Sequence, residues 1–260
     1  MSSPSVISKE ALAWFKKKGI KPSFDYRDVW EEEHANAFTV AKMLNADLLV
    51  EVKGLIDEAI EQGQTFTQFR DILKPLLVKS GWWGIQEMDD PTTKETKIVQ
   101  LGSEGRIKTI YKTNMRTARA AGQWERIERT KRAMPYLLYQ LGPSLEHRPE
   151  HVKWNGLLLP VGDEFWLNHM PPNGWGCNCW IRQVSKFEAE KLVQDKKVTT
   201  TAPPDKTKKW VNKRTGEETT LPVGIDPGWN YNPGKEREKA LSLDLVQKET
   251  VMRQTLYKGV

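Results

Sequence analysis

Cysteine is nearly absent from this sequence, and the two that occur, Cys177 and Cys179, are separated by a single residue. A disulfide bond requires a specific Cα separation and orientation of its two side chains, so neighbours this close do not form an easy, unstrained bridge. In a reducing compartment both remain thiols. A scaffold built on disulfides is therefore excluded, whereas metal binding by the two thiols is not.

Long hydrophobic runs are also missing. No apolar run approaches the roughly 18 residues that a membrane-spanning helix needs. The first residues, MSSP, lack the basic and apolar regions of a secretion signal. We therefore expect a cytoplasmic protein with no membrane partner.

The common catalytic signatures are absent as well. The chain has no His-Glu-x-x-His motif, no Gly-x-Ser-x-Gly turn and no Gly-Lys-Ser/Thr phosphate loop. The His-x-Glu of zinc deaminases is missing too. These absences argue against the corresponding hydrolases, deaminases and nucleotide-binding enzymes, and we expect a protein without enzymatic activity.

Charge is what the sequence has in excess. Charged residues make up 28% of the chain and apolar residues 38%, which is typical of a soluble globular protein. The formal net charge is +6. Polyanions or acidic protein surfaces are therefore the expected partners.

The N-terminal half has apolar residues at helical spacing. Residues 31 to 62 are predicted to form one long helix, which Gly63 ends. Thr65 and Gln68 have the spacing of a capping box and open a shorter helix, which Pro75 should bend or shorten.

A third long helix is predicted from Ser103 to a point before Pro135. The preceding stretch, from 89 to 97, is polar and has no period, so we interpret it as a loop.

After Pro135 short extended runs alternate with turn signals, which predicts a small, irregular β module. Large aromatic rings bury much apolar area. We expect the tryptophans of this stretch to supply much of its core: Trp154, Trp166, Trp175 and Trp180. Ser185 opens a further short helix.

The rest of the chain is predicted as an extended arm over 199 to 234, with a hairpin near Thr215, followed by a helix from 235 to 256. The sequence thus predicts an α+β protein. Its parts are an N-terminal extension (1–30), a helical region (31–134), a tryptophan-rich β module with the His and Cys residues (135–198), and an arm with a C-terminal helix (199–260).

The β module carries the residues with metal-binding chemistry. Thiolate and imidazole together suit zinc, which takes four such ligands in structural sites. The stretch also contains His147 among the side chains able to bind a transition metal, and we predict a zinc site formed by four of them: His151, His169, Cys177 and Cys179. The alternative is that the thiols are small buried hydrophobes and the histidines bond to the backbone.

Basic residues form a stripe on the third helix. Its members, which share one face at helical spacing, are Lys108, Lys112, Arg116, Arg119 and Arg126. DNA or an acidic protein surface is the predicted partner of this basic stripe. The alternative is a solvated face with its own ion pairs.

Several segments resemble the phage Mu F-like minor head protein family, over roughly residues 35 to 182. The most specific are AFTVAK at 37–42, GWWG at 81–84, YKTNMRTA at 111–118, GQWERI at 122–127, RPEH at 148–151 and PPNGWGCNC at 171–179. The DPGWNYNPG segment at 226–234 resembles the family's tail. Asn178 stands where arginine is usual, and Asn155 where aspartate is common.

The resemblance implies a structural protein of a tailed-phage head, present in few copies and acting in procapsid assembly near the portal or inside the shell. Implied partners are the portal protein, the major capsid protein or a scaffold, and packaged double-stranded DNA. The implied location is the virion, and the host cytoplasm during assembly. The alternative from the residues is a metal-dependent hydrolase or nuclease that uses His151, His169 and the cysteines.

Overall fold

A computed structural model of the chain describes residues 9–31 and 33–236. It confirms the α+β class, with long helices in the N-terminal half and small sheets along the chain. In chain order the elements are α1 (Lys9–Lys16), β1 (Gly19–Ile20), α2 (Glu33–Asn36), β2 (Ala37–Phe38), α3 (Ala46–Gln62), α4 (Phe66–Lys79), β3 (Ile85–Asp89), β4 (Thr96–Gln100), α5 (Glu104–Thr130), β5 (Tyr136–Gln140), α6 (Pro149–Trp154), β6 (Leu158–Pro160), α7 (Phe165–Asn168), β7 (Trp180–Val184), α8 (Lys186–Gln194), β8 (Thr207–Val211) and β9 (Glu218–Pro222). Within this described part, no helix has both the length and the apolar character that crossing a bilayer requires.

Helix α5 takes part in two hydrophobic cores. Its N-terminal part places Ile107, Ile110 and Met115 in a first core, where α1, α3 and α4 pack. Its C-terminal part places Trp124 and Ile127 in a second core, beneath the sheet of the β module. Each fully buried aliphatic side chain stabilises the fold by about 1.5–3 kcal/mol. One helix therefore joins the two halves of the fold.

The predicted end of α3 and the predicted starts of α4 and α5 are confirmed. Thr65 and Gln68 form the reciprocal bonds of a capping box, and Gly63 adopts the left-handed conformation, with φ of 65°, that ends α3. Ser103 caps α5 by accepting a bond from its third residue. Pro75 does not shorten α4, because burial of the neighbouring apolar side chains outweighs the one backbone bond that proline removes.

The prediction of one helix over residues 31 to 62 is wrong. The segment divides into α2, β2, a turn and α3. Strand β2 pairs in parallel with β1. The side chain of Asn45 then accepts a bond from Leu48 and starts a new helix. The apolar period continues through the break because both segments face the same core, so periodicity does not reveal the interruption.

The prediction of a loop from 89 to 97 is wrong at both ends of this segment. Strands β3 and β4 form an antiparallel hairpin, and its turn occupies only the middle of the segment. The strands carry few buried side chains, so the alternation of a half-buried strand is weak. Asp90, fully buried, holds the turn and binds Arg214 at 2.6 Å and Lys97 at 3.0 Å.

The β module is a three-stranded antiparallel sheet in the order β6-β5-β7, with α8 beside it. The Ser185 cap of α8 is confirmed, and the three strands lie in the stretch for which a β module is predicted. Trp154 and Trp166 are buried in the second core as predicted. The prediction is wrong for Trp175 and Trp180, which are 42% and 46% exposed. Trp175 lies in the loop before β7, and Trp180 is the first residue of that strand.

The arm contains the predicted hairpin, formed by β8 and β9, and then returns to the body of the protein. Ile225 and Trp229 are buried in the second core, Tyr231 in the first, and Leu221 is buried as well. At the other end of the chain, α1 packs on α5. The C-terminal helix predicted from 235 to 256 lies almost wholly outside the described residues, and the domain boundaries stay a prediction.

Candidate metal centre

Three of the predicted ligands meet in the β module. The ligand atoms of His151, Cys177 and Cys179 all lie within 4.8 Å of one another. His151 lies in α6, whose first residue is Pro149, and the cysteines lie in the loop that leads into β7. His151 and Cys177 are 2% and 4% exposed, so the group is shielded from solvent on most sides.

The spacing of the three side chains suits a tetrahedral metal. His151 Nδ1 lies 3.4 Å from Cys179 Sγ and 3.9 Å from Cys177 Sγ. Ordinary zinc–sulfur and zinc–nitrogen bond lengths place such ligand atoms about 3.6 Å apart in a tetrahedron. The residues present therefore fit a zinc ion, and zinc binding stays a prediction.

A hydrogen bond from the opposite side of the ring orients His151. Its Nε2 lies 2.8 Å from the carbonyl oxygen of Gly224. A carbonyl oxygen can only accept a hydrogen bond, so Nε2 carries the proton. Nδ1 then carries the lone pair and faces both thiols. Metal-binding histidines generally donate their second nitrogen to such an acceptor, which fixes the tautomer.

The two thiols share a proton unequally. The hydrogen bond with Cys179 lowers the pKa of Cys177 to about 4, against the opposing effect of burial. The same hydrogen bond, together with burial, raises the pKa of Cys179. Near neutral pH the pair holds a thiolate at Cys177, which is the form that binds a metal.

His169, the fourth predicted ligand, is not part of this group. Its Nδ1 lies 3.1 Å from the carbonyl oxygen of Phe165, and its Nε2 lies 3.2 Å from a carboxylate oxygen of Asp205. Burial lowers the pKa of His169, which keeps the ring neutral. Trp154 packs against both His151 and His169, with ring centroids 4.8 Å apart in each case. Nδ1 of His169 therefore has the Phe165 carbonyl as its partner, and Nε2 is buried beside Asp205 without a hydrogen bond to any described residue.

The tail after β9 holds the cysteine loop, residues 171–179 ahead of β7, in place. One carboxylate oxygen of Asp226 accepts bonds from Arg148, at 2.6 Å, and from the backbone N–H of Trp175, at 2.8 Å. The backbone N–H of Asp226 donates to Asn173. Sequence reasoning missed Gly224 and Asp226 as parts of the site, although the DPGWNYNPG motif was the available signal.

The structure divides the basic stripe. Arg116 donates to the carbonyl oxygen of Cys177 and to the Asn178 side chain, so it holds the cysteine loop on α5. Arg126 lies 3.8 Å from Glu10. Arg119 is exposed. Lys108 and Lys112 are exposed and line a cavity of about 180 Å³ together with Arg116 and two tryptophans of the loop and tail, Trp175 and Trp229.

Comparison with known proteins identifies relatives of this chain. A family model described as "Phage Mu protein F like protein" matches residues 50–182. The "Putative capsid assembly protein F" of Escherichia phage Mu is 34% identical over 253 residues, covering 92% of this chain and 57% of that protein. The "Mu-like prophage FluMu F protein" of Haemophilus influenzae is 29% identical over 225 residues, covering 82% of this chain and 53% of that protein. The chain thus spans about half the length of these curated relatives. No solved structure matches.

The packing of the tail on the cysteine loop predicts a specific effect at Gly174. A Cβ atom there would overlap the Asp226 carboxylate and lie 2.9 Å from Arg148. We expect Gly174→Ala to lower the free energy of unfolding by about 1–3 kcal/mol in urea denaturation. The control is Gly162→Ala, where the Cβ atom meets nothing within 4 Å. Equal stabilities for the two variants would show that the tail does not constrain the loop.

Proposed function

We propose, on the premise that this chain belongs to the Phage Mu protein F like family, that it is a structural component of tailed-phage head assembly and catalyses no reaction. The observation that carries the proposal is the similarity to a protein named as a capsid assembly protein across 92% of this chain. The tight aromatic packing around the cysteine loop supports it, since a module held from two sides suits a fixed contact in an assembly better than a moving active site.

The proposed neighbours are the portal protein, the major capsid protein or a scaffold, met in the host cytoplasm and retained in the virion. Exposed apolar side chains support contact with other proteins, because burying them against a neighbour is favourable. On the helical half and its hairpin they include Val50, Ile72, Val78, Ile85 and Ile98.

Disruption of the gene tests the assembly role. Cells infected with a phage that carries an early stop codon in this gene are expected to yield few infectious heads, and wild-type chain supplied from a plasmid should restore them. Purified heads should contain the chain, as measured by immunoblotting of gradient fractions. Normal head numbers and infectivity in the absence of the chain would contradict the proposal.

We further propose that Lys108 and Lys112 contact packaged double-stranded DNA or an acidic scaffold. Both are exposed on α5, and they lie beside Arg116 in one cavity. The effect of burial, and the positive charges of Lys108 and Arg116, lower the pKa of Lys112. A bound phosphate or carboxylate would relieve this repulsion between like charges.

Charge reversal tests the DNA contact. Lys108→Glu with Lys112→Glu is expected to weaken binding to a DNA duplex and to reduce the magnitude of the slope of log K against log salt by about 2, because two phosphate contacts are lost. Fluorescence anisotropy over a salt series measures both. The matched control is Lys186→Glu with Lys191→Glu on the exposed face of α8. Indistinguishable salt slopes for the two double variants would contradict the proposal that Lys108 and Lys112 contact DNA.

We propose a structural zinc ion at His151, Cys177 and Cys179. The distances between the ligand atoms and the orientation of the His151 ring support it. Bound zinc would stabilise a module whose second core is small, because metal-binding energy adds to the stability of the folded state.

Metal analysis of freshly purified protein tests the zinc site. We expect a stoichiometric amount of zinc in the wild type and little in Cys177→Ser, with a lower melting temperature in the variant, because a hydroxyl replaces a thiolate ligand. His169→Gln is the control and should retain its zinc. Wild-type protein without zinc would contradict the proposed zinc site. Loss of zinc from His169→Gln would show that His169 is a ligand.

One observation favours a second candidate function, a metal-dependent hydrolase or nuclease. A polar cavity of about 250 Å³ opens onto the two cysteines and His151, and catalytic zinc sites combine three protein ligands with one open position. Cleavage of DNA by purified protein, abolished by His151→Ala, would support this candidate over the structural one.

A further inference from the structure

The cavity beside the thiols contains a second histidine. Its lining includes His147 and Gly142 in addition to His151, Cys177 and Cys179. His147 comes directly before Arg148, the extended residue that precedes α6, and stands four positions ahead of His151 in the sequence. We infer that His147 is the fourth ligand of the proposed zinc centre, which closes the site as a Cys2His2 structural site. This inference depends on the proposed zinc site.

The spacing of the two histidines supports the assignment. Three residues separate His147 from His151. Paired histidine ligands of structural zinc sites are typically separated by three to five residues, which lets both rings approach one metal from a single turn of chain. The separation between His151 and His169 is far longer than three to five residues.

Gly142 couples His147 to the cysteine loop. The backbone N–H of Gly142 hydrogen-bonds to the Cys179 thiol, and its carbonyl oxygen lies 2.9 Å from Nε2 of His147. One residue thus contacts a proposed sulfur ligand with one end of its backbone and the proposed fourth ligand with the other. Gly142 cannot shift far, since a Cβ atom there would overlap the backbone of Asn178.

The hydrogen bond to Gly142 also sets the tautomer of His147. A proton on Nε2, donated to the carbonyl, leaves the lone pair on Nδ1. His151 has the same arrangement, with Nε2 bonded to the carbonyl oxygen of Gly224 and Nδ1 facing the thiols. Both histidines therefore carry the second-nitrogen contact that metal-binding histidines generally have, and both offer Nδ1 to a metal.

A movement of His147 toward the thiols is needed to complete the site. His147 lies outside the group whose ligand atoms are within 4.8 Å of one another. The residues between Gly142 and His147 are exposed, and Leu145 is fully exposed. Closing this loop on the thiols therefore breaks few buried contacts. His169, by contrast, would have to give up its contacts with Phe165 and Asp205.

X-ray absorption of zinc-loaded full-length protein tests the assignment. The wild type is expected to show two sulfur and two imidazole ligands. His147→Ala should lose one imidazole and bind zinc at least about tenfold more weakly in competition with a chelator, the lower end of the effect of losing a supporting shell residue. His147→Cys should restore affinity and show three sulfur ligands. His169→Gln, the control, should match the wild type.

The outcomes separate this inference from the proposal it depends on. His147 is exposed, so its variants should keep the fold, which circular dichroism checks. Zinc with two sulfurs and an unchanged imidazole count in His147→Ala, or only two sulfurs in His147→Cys, would overturn the assignment of His147 and leave the zinc centre standing. A wild-type protein that binds no zinc would overturn both.

Discussion

The hydrogen bond between His151 and the carbonyl oxygen of Gly224 is the constraint on which the β module depends. It joins α6 to the tail that follows β9, across 73 positions of sequence, and it determines which nitrogen of the ring faces the thiols. Without it, the imidazole could present either nitrogen to Cys177 and Cys179, and the tail would lose a contact with the ring. The ion pair of Arg148 with Asp226 and the close packing at Gly174 reinforce the same junction.

Aromatic packing makes this junction rigid. Trp154 contacts His151, Tyr139, Phe165 and His169, and each such pair contributes about 0.5–1.5 kcal/mol beyond the area it buries. From the other side, Arg116 of α5 holds the backbone between the cysteines. The loop is therefore held between the long helix and the tail. A cluster of imidazole and thiol side chains at the edge of a small core needs such support, because buried polar groups are generally paired with a partner.

The same arrangement relates the site to the proposed role in head assembly. Helix α5 contributes to both cores, so one continuous element connects the helical half, with its exposed apolar side chains, to the β module that contains the cysteine loop. A second buried junction, where Arg214 of the arm binds Asp28 and Asp90, joins the arm to the N-terminal segment and to the β3–β4 hairpin. Breaking a buried pair of this kind typically costs about 3–5 kcal/mol, so the arm is a part of the folded body.

The amino-acid sequence by itself determined the features that depend on near neighbours. The caps at Thr65, Ser103 and Ser185 and the left-handed Gly63 follow from contacts within a few residues, and the structure confirms them. The presence of two thiols and several imidazoles in the β module could also be predicted, because residue types are given by the sequence itself. Only the tertiary structure decided which side chains converge, because that depends on pairing between distant segments. His169 turns toward Phe165 and Asp205 while His151 turns toward the thiols, and Arg116 binds the cysteine loop although its spacing marked it as one of five equivalent basic residues. The helix predicted over 31 to 62 failed likewise, since the pairing of β2 with β1 is a contact between separate segments that helical periodicity does not record.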